Sequence, residues 1–311
     1  MRIGIDLGGT KIEALAIDDA GRELCRVRRP TPKDAYESLI GALAATVAEV
    51  EATTGARGTV GLGIPGTISP ATGLVKNSNI LSLIGKALDH DLAAALDRRV
   101  RVANDANCFA LSEAADGAAA PGHFPPVGER PRVVFGVILG TGTGGGIVVD
   151  GRILEGPDGV SGEWGHMPLP WPEPDELTLP PCWCGLRGCT ELFLSGTGMA
   201  SDHRRVTGQE LSAAAIAKAA LDGDARAEAT LARFEARLAR GLAAIVNILN
   251  PDVIVLGGGV SNVARLYESV PRLWTSFVFS DVISTKLVKA AHGDASGVRG
   301  AAWLWPVGSQ V

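Results

Sequence analysis

The sequence predicts an α/β protein built as two lobes, on three observations. Short β-rich runs alternate with stretches of helical periodicity. A pattern of strand, glycine turn, strand, glycine turn, strand occurs twice in the same order. Ile3-Gly4-Ile5-Asp6-Leu7-Gly8 lines up with Phe135-Gly136-Val137-Ile138-Leu139-Gly140, and further glycines follow each. Finally, 311 residues is long for one compact core. The repeat implies a duplicated unit with one glycine loop per lobe.

The elements follow in order. Arg2 to Leu7 is a β-rich run broken by Gly8-Gly9, and Lys11 to Ile17 resumes it. Asp19-Ala20-Gly21 turns into a third strand, Glu23 to Val27. Tyr36, Leu39, Ile40, Leu43, Val47 and Val50 recur at helical spacing. Val60 to Ile64 and Val100 to Ala103 are strands, with helices over Leu88 to Leu96 and Ala106 to Ala115. Ala118 to Arg132 is rich in Ala, Pro and Gly and forms the natural lobe boundary. Val133 to Leu139 is a buried strand, followed by the glycine-rich loop Gly140 to Gly146. The strand Ile147 to Val149 then turns at Asp150-Gly151 into Arg152 to Leu154. Dense prolines from Pro168 to Pro181 make an extended loop. Glu210 to Leu221 is helical, and Ala227 to Leu249 carries one apolar stripe, ended by Pro251-Asp252. Val253 to Leu256 is a buried strand opening into Gly257-Gly258-Gly259, and Gly297 to Trp305 is the last helix. The small lobe comprises residues 1–117 with the C-terminal segment 294–311. The large lobe comprises 118–293 and carries a metal loop at 166–191.

Composition narrows the partners. Hydrophobic residues make up 46% and charged residues 20%, enough for a sizeable core, and the net charge is −5. An acidic chain without a basic patch points away from nucleic acid and membrane surfaces. No apolar run is long enough to span a bilayer, and the N-terminus runs straight into a strand with no secretory signal. Of five cysteines, Cys182, Cys184 and Cys189 fall within eight residues. An odd number, clustered, in a chain without a signal indicates a reducing, cytoplasmic setting and a metal site rather than disulfides. Cys25 and Cys108 have no partner spacing and are expected in the core.

Six constellations carry chemistry. In Asp6-Leu7-Gly8-Gly9-Thr10-Lys11 the glycines let backbone N–H groups approach an anion. Thr10 can donate to phosphate, Lys11 adds charge, and Asp6 can hold Mg²⁺ through water; the plainer alternative is a tight hairpin turn. Gly140-Thr141-Gly142-Thr143-Gly144-Gly145-Gly146 follows a buried strand and is read as a phosphate loop rather than a linker. Gly257-Gly258-Gly259 offers side-chain-free backbone to a base and ribose, or simply turns a strand into a helix. Asn104-Asp105 sits at a strand's carboxyl end where a helix opens. Either residue serves as an N-cap, but that position in an α/β domain also suits catalytic groups. His166 with Cys182, Cys184 and Cys189 supplies three thiolates and an imidazole, a closed four-ligand set for structural zinc. Glu163 and Glu191 flank these ligands, so the zinc loop would position two carboxylates of the kind that grip sugar hydroxyls; the alternative is two solvated glutamates.

With these motifs the chain resembles the ROK family of bacterial sugar kinases and sugar-responsive repressors. The resemblance rests on Asp6 to Lys11, Gly61-Leu62-Gly63-Ile64-Pro65-Gly66, Asn104-Asp105-Ala106-Asn107-Cys108, Leu139 to Gly146, Gly162-Glu163-Trp164-Gly165-His166 and Cys182 to Glu191, and it runs the whole length. Val100 to Cys108, Asn247 to Asn262 and His292 to Trp305 are similar to the fructokinase, or manno(fructo)kinase, branch. The resemblance implies an actin-like ATPase (ribonuclease H-like) fold, with ATP and Mg²⁺ in the cleft between the lobes. It implies Asp105 as the base for the sugar hydroxyl, and Gly66, Asn104, Glu163, His166 and Glu191 around the sugar. It places the nucleotide on Gly4, Asp6, Gly8, Gly9, Thr10, Lys11, Gly140, Thr141, Gly142, Thr143 and Gly257 to Gly259. Zinc falls on His166, Cys182, Cys184 and Cys189. The expected reaction is ATP-dependent phosphorylation of the 6-hydroxyl of fructose, and of mannose. The rivals are a kinase for glucose or an N-acetylated amino sugar, a sugar-sensing regulator, and a polymerising actin-like ATPase. With five residues before Asp6 and a negative charge, a DNA-binding regulator is not expected; a homodimer is left open.

Overall fold

The computed structural model describes residues 1–123 and 131–311. Most of the proline-rich boundary Pro121–Pro131 therefore lies outside the described residues. The chain opens with strands β1 (Arg2–Leu7), β2 (Lys11–Ile17) and β3 (Glu23–Pro30), helix α1 (Tyr36–Thr54) and strand β4 (Thr59–Ile64). A small hairpin, β5 (Thr67–Ile68) and β6 (Val75–Lys76), precedes α2 (Leu88–Leu96), β7 (Val100–Asn104) and α3 (Asp105–Ala115). Then come β8 (Val133–Leu139), β9 (Thr143–Val149), β10 (Arg152–Ile153), α4 (Gly196–Thr207), α5 (Ala213–Leu221) and α6 (Ala225–Leu249). The chain closes with β11 (Val253–Gly257), α7 (Leu266–Leu273), β12 (Lys286–Lys289) and α8 (Ser296–Trp303).

The repeat in the sequence is a repeat in topology. One five-stranded sheet has the order β3-β2-β1-β4-β7 and the other β10-β9-β8-β11-β12. In each, an antiparallel three-strand meander is extended by two parallel strands. Each sheet buries its own apolar cluster, around Ile3, Ile5, Leu39 and Leu62 in one lobe and Phe135, Leu238, Leu242 and Ile254 in the other. Among the described residues no helix is long and apolar enough to cross a membrane.

Local chemistry sets the ends of the helices. α1 stops at Gly55, whose φ of 67° suits a residue without Cβ. Asp224 caps α6 by accepting from the N–H groups of Arg226 and Ala227, and Asn250 ends it in the left-handed region just before Pro251. α5 starts three residues later than the periodicity suggests, because the Ser212 hydroxyl caps it through the Ala215 N–H.

The glycine run Gly140–Gly146 corrects the expectation of one long permissive loop. Only Gly140 to Gly142 form the turn; Gly144, Gly145 and Gly146 lie in β9, paired with Ile138, Val137 and Gly136 of β8. Their small size serves close packing. A Cβ on Gly146 would strike the Ala106 carbonyl of α3, and one on Gly145 would lie 2.6 Å from the Gly162 carbonyl. The same holds across the molecule. Gly136 admits Ala110 of α3, Gly4 and Gly61 admit the backbone of α8, and Gly300 of α8 presses on the Cys108 backbone.

α3 and α8 thus cross in contact between the two sheets. Phe109, Ala110 and Leu111 of α3 share a cluster with Val134, Val148, Val253 and Val255, while Cys108 packs with Ala103 and Ala301. Gly300→Ala is expected to destabilise the protein by roughly 1–3 kcal/mol through overpacking. Gly41→Ala, in α1 with open space around it, should stabilise it by about 0.5–1 kcal/mol. Urea unfolding of both variants against the parent measures the contrast.

Candidate active site

β7 ends at Asn104 and α3 begins at Asp105, so both side chains stand at a strand's carboxyl end in the small-lobe sheet. Asn104 is the N-cap: its Oδ1 accepts from the Ala106 N–H at 2.9 Å, and its Nδ2 donates to the Gly66 carbonyl at 3.1 Å. Gly66 has a φ of +100°, and a Cβ there would lie 2.6 Å from the Lys76 carbonyl. Asn104 therefore has two jobs, capping α3 and fixing the Gly66 turn.

Asp105 accepts from the Ala106 N–H through Oδ1 at 2.8 Å, and its other oxygen makes no hydrogen bond among the described residues. Burial, followed by the nearby Asp6 carboxylate, pushes its pKa up to about 6. Asp6, in the parallel neighbourhood at the end of β1, is likewise pushed up to about 6, by burial and then by Glu13. Glu13 sits opposite Asp6 in the β1–β2 register. Burial alone would raise Glu13, but hydrogen bonds from Arg28, Lys11 and Arg26 outweigh it and hold Glu13 near about 2. Lys11, expected to face phosphate, here donates to Glu13 at 3.0 Å and remains half exposed.

The other predicted nucleotide residues divide by exposure. Gly9 and Thr10 are exposed and Gly8 partly so, with the Gly8 N–H donating to the Lys11 carbonyl. Thr141 is the exposed tip of the Gly140–Gly142 turn. Three assignments need correction. Gly4 is buried beneath α8, and Gly257 is closed off by the Phe109 ring; both are packing glycines without a free face. The Thr143 hydroxyl is spent on the Leu194 carbonyl at 2.6 Å, so it is turned away from any phosphate. Gly258 adopts φ +79° against the Leu139 carbonyl, leaving Gly259 facing open space.

The zinc loop converges as its donors require. One ligand atom from each of His166, Cys182, Cys184 and Cys189 lies within 4.8 Å of all the others. Cys182 Sγ is 3.7 Å from His166 Nδ1, and Cys184 Sγ is 3.6 Å from Cys189 Sγ. A tetrahedral zinc with Zn–S bonds of about 2.3 Å needs sulfur atoms roughly 3.8 Å apart, so the set fits the ion. Burial, followed by the neighbouring thiols, pushes the Cys189 thiol up to about 12. A bound zinc would take these sulfurs as thiolates and relieve that penalty.

Glu191, just after the last cysteine, spans this loop and the glycine turn. Its Oε2 accepts from the Thr143 N–H at 3.0 Å and its Oε1 from the Trp183 indole N–H at 2.9 Å. Trp183 packs edge-on against His166, ring centroids 5.0 Å apart. Glu163 precedes His166 and is exposed, and its charge adds to the upward shift of Asp105. Sequence reasoning missed Trp183 and Glu13. The signal for Trp183 was its place between two metal ligands; Glu13 has none, because its importance arises from facing Asp6 across a sheet.

The comparisons with known proteins agree with this construction. Residues 2–307 match the ROK family. An N-acetyl-D-glucosamine kinase of Vibrio parahaemolyticus is 40% identical over 308 residues, covering 98% of this chain and 99% of its own length. One from Escherichia coli O9:H4 is 41% identical over 316 residues with the same coverage. A ROK hexokinase from Thermus thermophilus superposes with a TM-score of 0.84 at 32% identity over 97% of this chain and 96% of its own. A ROK glucokinase from Streptomyces griseus, solved with glucose and AMPPNP, gives 0.76 at 26% identity, over 97% and 98%. The fold and cleft are those of the actin-like sugar kinases. The chain belongs to the ROK family and is an ATP-dependent sugar kinase of the hexose-kinase type. The named relatives are N-acetyl-D-glucosamine kinases, so they do not support the narrower expectation of a fructokinase.

Three outcomes follow from the site. Cys189→Ser should reduce zinc from near one ion per chain to a small fraction and lower the melting temperature; metal analysis of protein purified without added metal reads both chain forms. The raised carboxylates set the pH response. With Asp105 as the base that the family resemblance implies, kcat/KM should fall as the pH drops below about 6. Because folded Asp6 and Asp105 bind protons more tightly than the unfolded chain, the free protein should lose stability as the pH rises from about 4 to about 6. A pH–rate profile and pH-dependent melting test these.

Proposed function

We propose that the chain transfers the γ-phosphoryl group of ATP to the 6-hydroxyl of a free hexose, with N-acetyl-D-glucosamine the favoured acceptor. The acceptor rests on one observation, the 40% identity to N-acetyl-D-glucosamine kinases across 98% of the chain. Fructose is the second reading, favoured by the likeness of Val100 to Cys108, Asn247 to Asn262 and His292 to Trp305 to the fructokinase branch.

In this reading Asp105 orients the hydroxyl and takes its proton, using the carboxylate oxygen that makes no hydrogen bond among the described residues. Asn104, with Gly66 fixed beneath it, forms one side of the sugar pocket. Glu163, His166 and Glu191 form the other, held by the zinc loop; the second nitrogen of a zinc-bound imidazole remains free to hydrogen-bond. The exposed tips of the two turns, Gly9-Thr10 and Thr141, offer backbone N–H groups to the phosphates, and Gly259 lies open to the adenosine. Asp6 would hold Mg²⁺, which would supply positive charge against the phosphates. Two raised carboxylates suit this division: Asp6 would be held ionised by a bound cation, and Asp105, with its pKa near 6, can take up a proton near neutral pH.

A coupled ADP-release assay over N-acetyl-D-glucosamine, glucose, mannose and fructose tests the acceptor. N-acetyl-D-glucosamine should give the highest kcat/KM; a higher value with fructose would select the second reading. Asp105→Asn, which keeps the cap geometry but cannot accept the proton, should lower kcat by about 10²- to 10⁴-fold with zinc and melting temperature preserved. Near-parental turnover in that variant would remove Asp105 from the chemistry.

A further inference from the structure

We infer that Trp183 is a sugar-recognition residue: it positions Glu191 and His166 and offers its open indole face as a wall of the hexose pocket. The inference rests on the kinase reading above and deepens it.

Trp183 lies between two zinc ligands in Cys182-Trp183-Cys184, yet the structure leaves it 70% exposed. Exposing so large an apolar surface forgoes burial worth several times thermal energy. The ring is nevertheless held by two contacts. Its N–H donates to Glu191 Oε1 at 2.9 Å, and its ring meets the His166 imidazole edge-on at 82°. A side chain present only to shield the metal would turn its face onto the thiolates. Here the constraints fall on the two residues assigned to the sugar, and most of the ring surface stays exposed.

The other oxygen of Glu191 accepts from the Thr143 N–H, so the carboxylate is fixed at both ends. One end belongs to the start of β9, next to the glycine turn, and the other to Trp183. Releasing Trp183 frees the end nearest the zinc loop and leaves the tie to the glycine turn intact. The effect should therefore fall on sugar binding and not on ATP binding. A hexose presents an apolar C–H face as well as hydroxyls, and an indole face beside a carboxylate and an imidazole matches that pairing.

The experiment uses the full chain and two variants, Trp183→Phe and Trp183→Ala. Trp183→Phe keeps an aromatic ring against His166 but has no N–H for Glu191; Trp183→Ala removes both. Calorimetric titration with N-acetyl-D-glucosamine and with fructose should show the Kd of the better ligand raised about 3- to 10-fold in Trp183→Phe and more in Trp183→Ala. The sugar KM should rise in step, while kcat and the KM for ATP stay within about twofold and zinc remains near one per chain. If Trp183→Ala sheds zinc, Trp183→Phe alone decides the matter. Parental sugar affinity in the Phe variant together with zinc-replete Ala protein would overturn the inference, and so would zinc loss in Trp183→Phe that tracks the affinity loss. Absence of any hexose binding by the parent chain would overturn the kinase reading and this inference together; parental binding by both variants overturns this inference alone.

Discussion

The close crossing of α3 and α8 is the constraint on which the rest of the structure depends. Gly300 brings the backbone of α8 against that of α3 at Cys108. Each helix also presses into a sheet through glycines, α8 over Gly4 and Gly61, α3 over Gly136 and Gly146. A Cβ at these positions would push the layers apart, and interiors packed like crystals do not absorb that strain cheaply. The crossing also sets the electrostatics. Asp105 opens α3, and the Asp6 carboxylate lies beside Gly297 in the first turn of α8. Asp105 thereby stands within reach of the Asp6 charge, which adds to burial in raising its pKa to about 6, while Asp6 is raised by burial and by Glu13.

Buried polar groups secure the connections around that crossing. Glu113 of α3 is fully buried and accepts from the Ala118 and Ala291 N–H groups and from the Ser296 hydroxyl. One carboxylate thus ties the chain leaving α3 to the chain entering α8. Beside it Asp116 pairs with His292 and Arg299. Buried charges of this kind are costly to strand, so their value lies in specifying one arrangement of the connections.

The zinc loop is fastened in a similar way. Its proline-rich arm carries Glu176, buried and bound by Arg237 and Arg240 of α6 at 2.7 Å each. Its other end closes on the Cys and His cluster, and Glu191 links that cluster to the glycine turn. A loop without an apolar core of its own is held by ions at one end and a metal site at the other. The side chains assigned to the sugar, His166 and Glu191, are carried on that frame rather than on a free loop.

Local sequence determined the α/β class, the duplicated meander, the four-ligand metal set and the Asn104-Asp105 pair, because each depends on periodicity, spacing or a cap that acts over a few residues. Tertiary structure decided what the glycines are for. In sequence Gly4, Gly257 and Gly144 to Gly146 are indistinguishable from the glycines of an anion-binding turn; in the fold they admit a helix, a phenyl ring or a neighbouring chain, since a missing Cβ serves flexibility and close approach alike. The folded structure also decided which way Thr143 points and which partner Lys11 takes. Both follow from groups more than local spacing can foresee: Leu194 lies 51 residues from Thr143, and Glu13 is ionised by arginines on the next strand. The raised pKa of Asp105 belongs to the fold as well, because no sequence spacing announces that Asp6, ninety-nine positions earlier, shares its cleft.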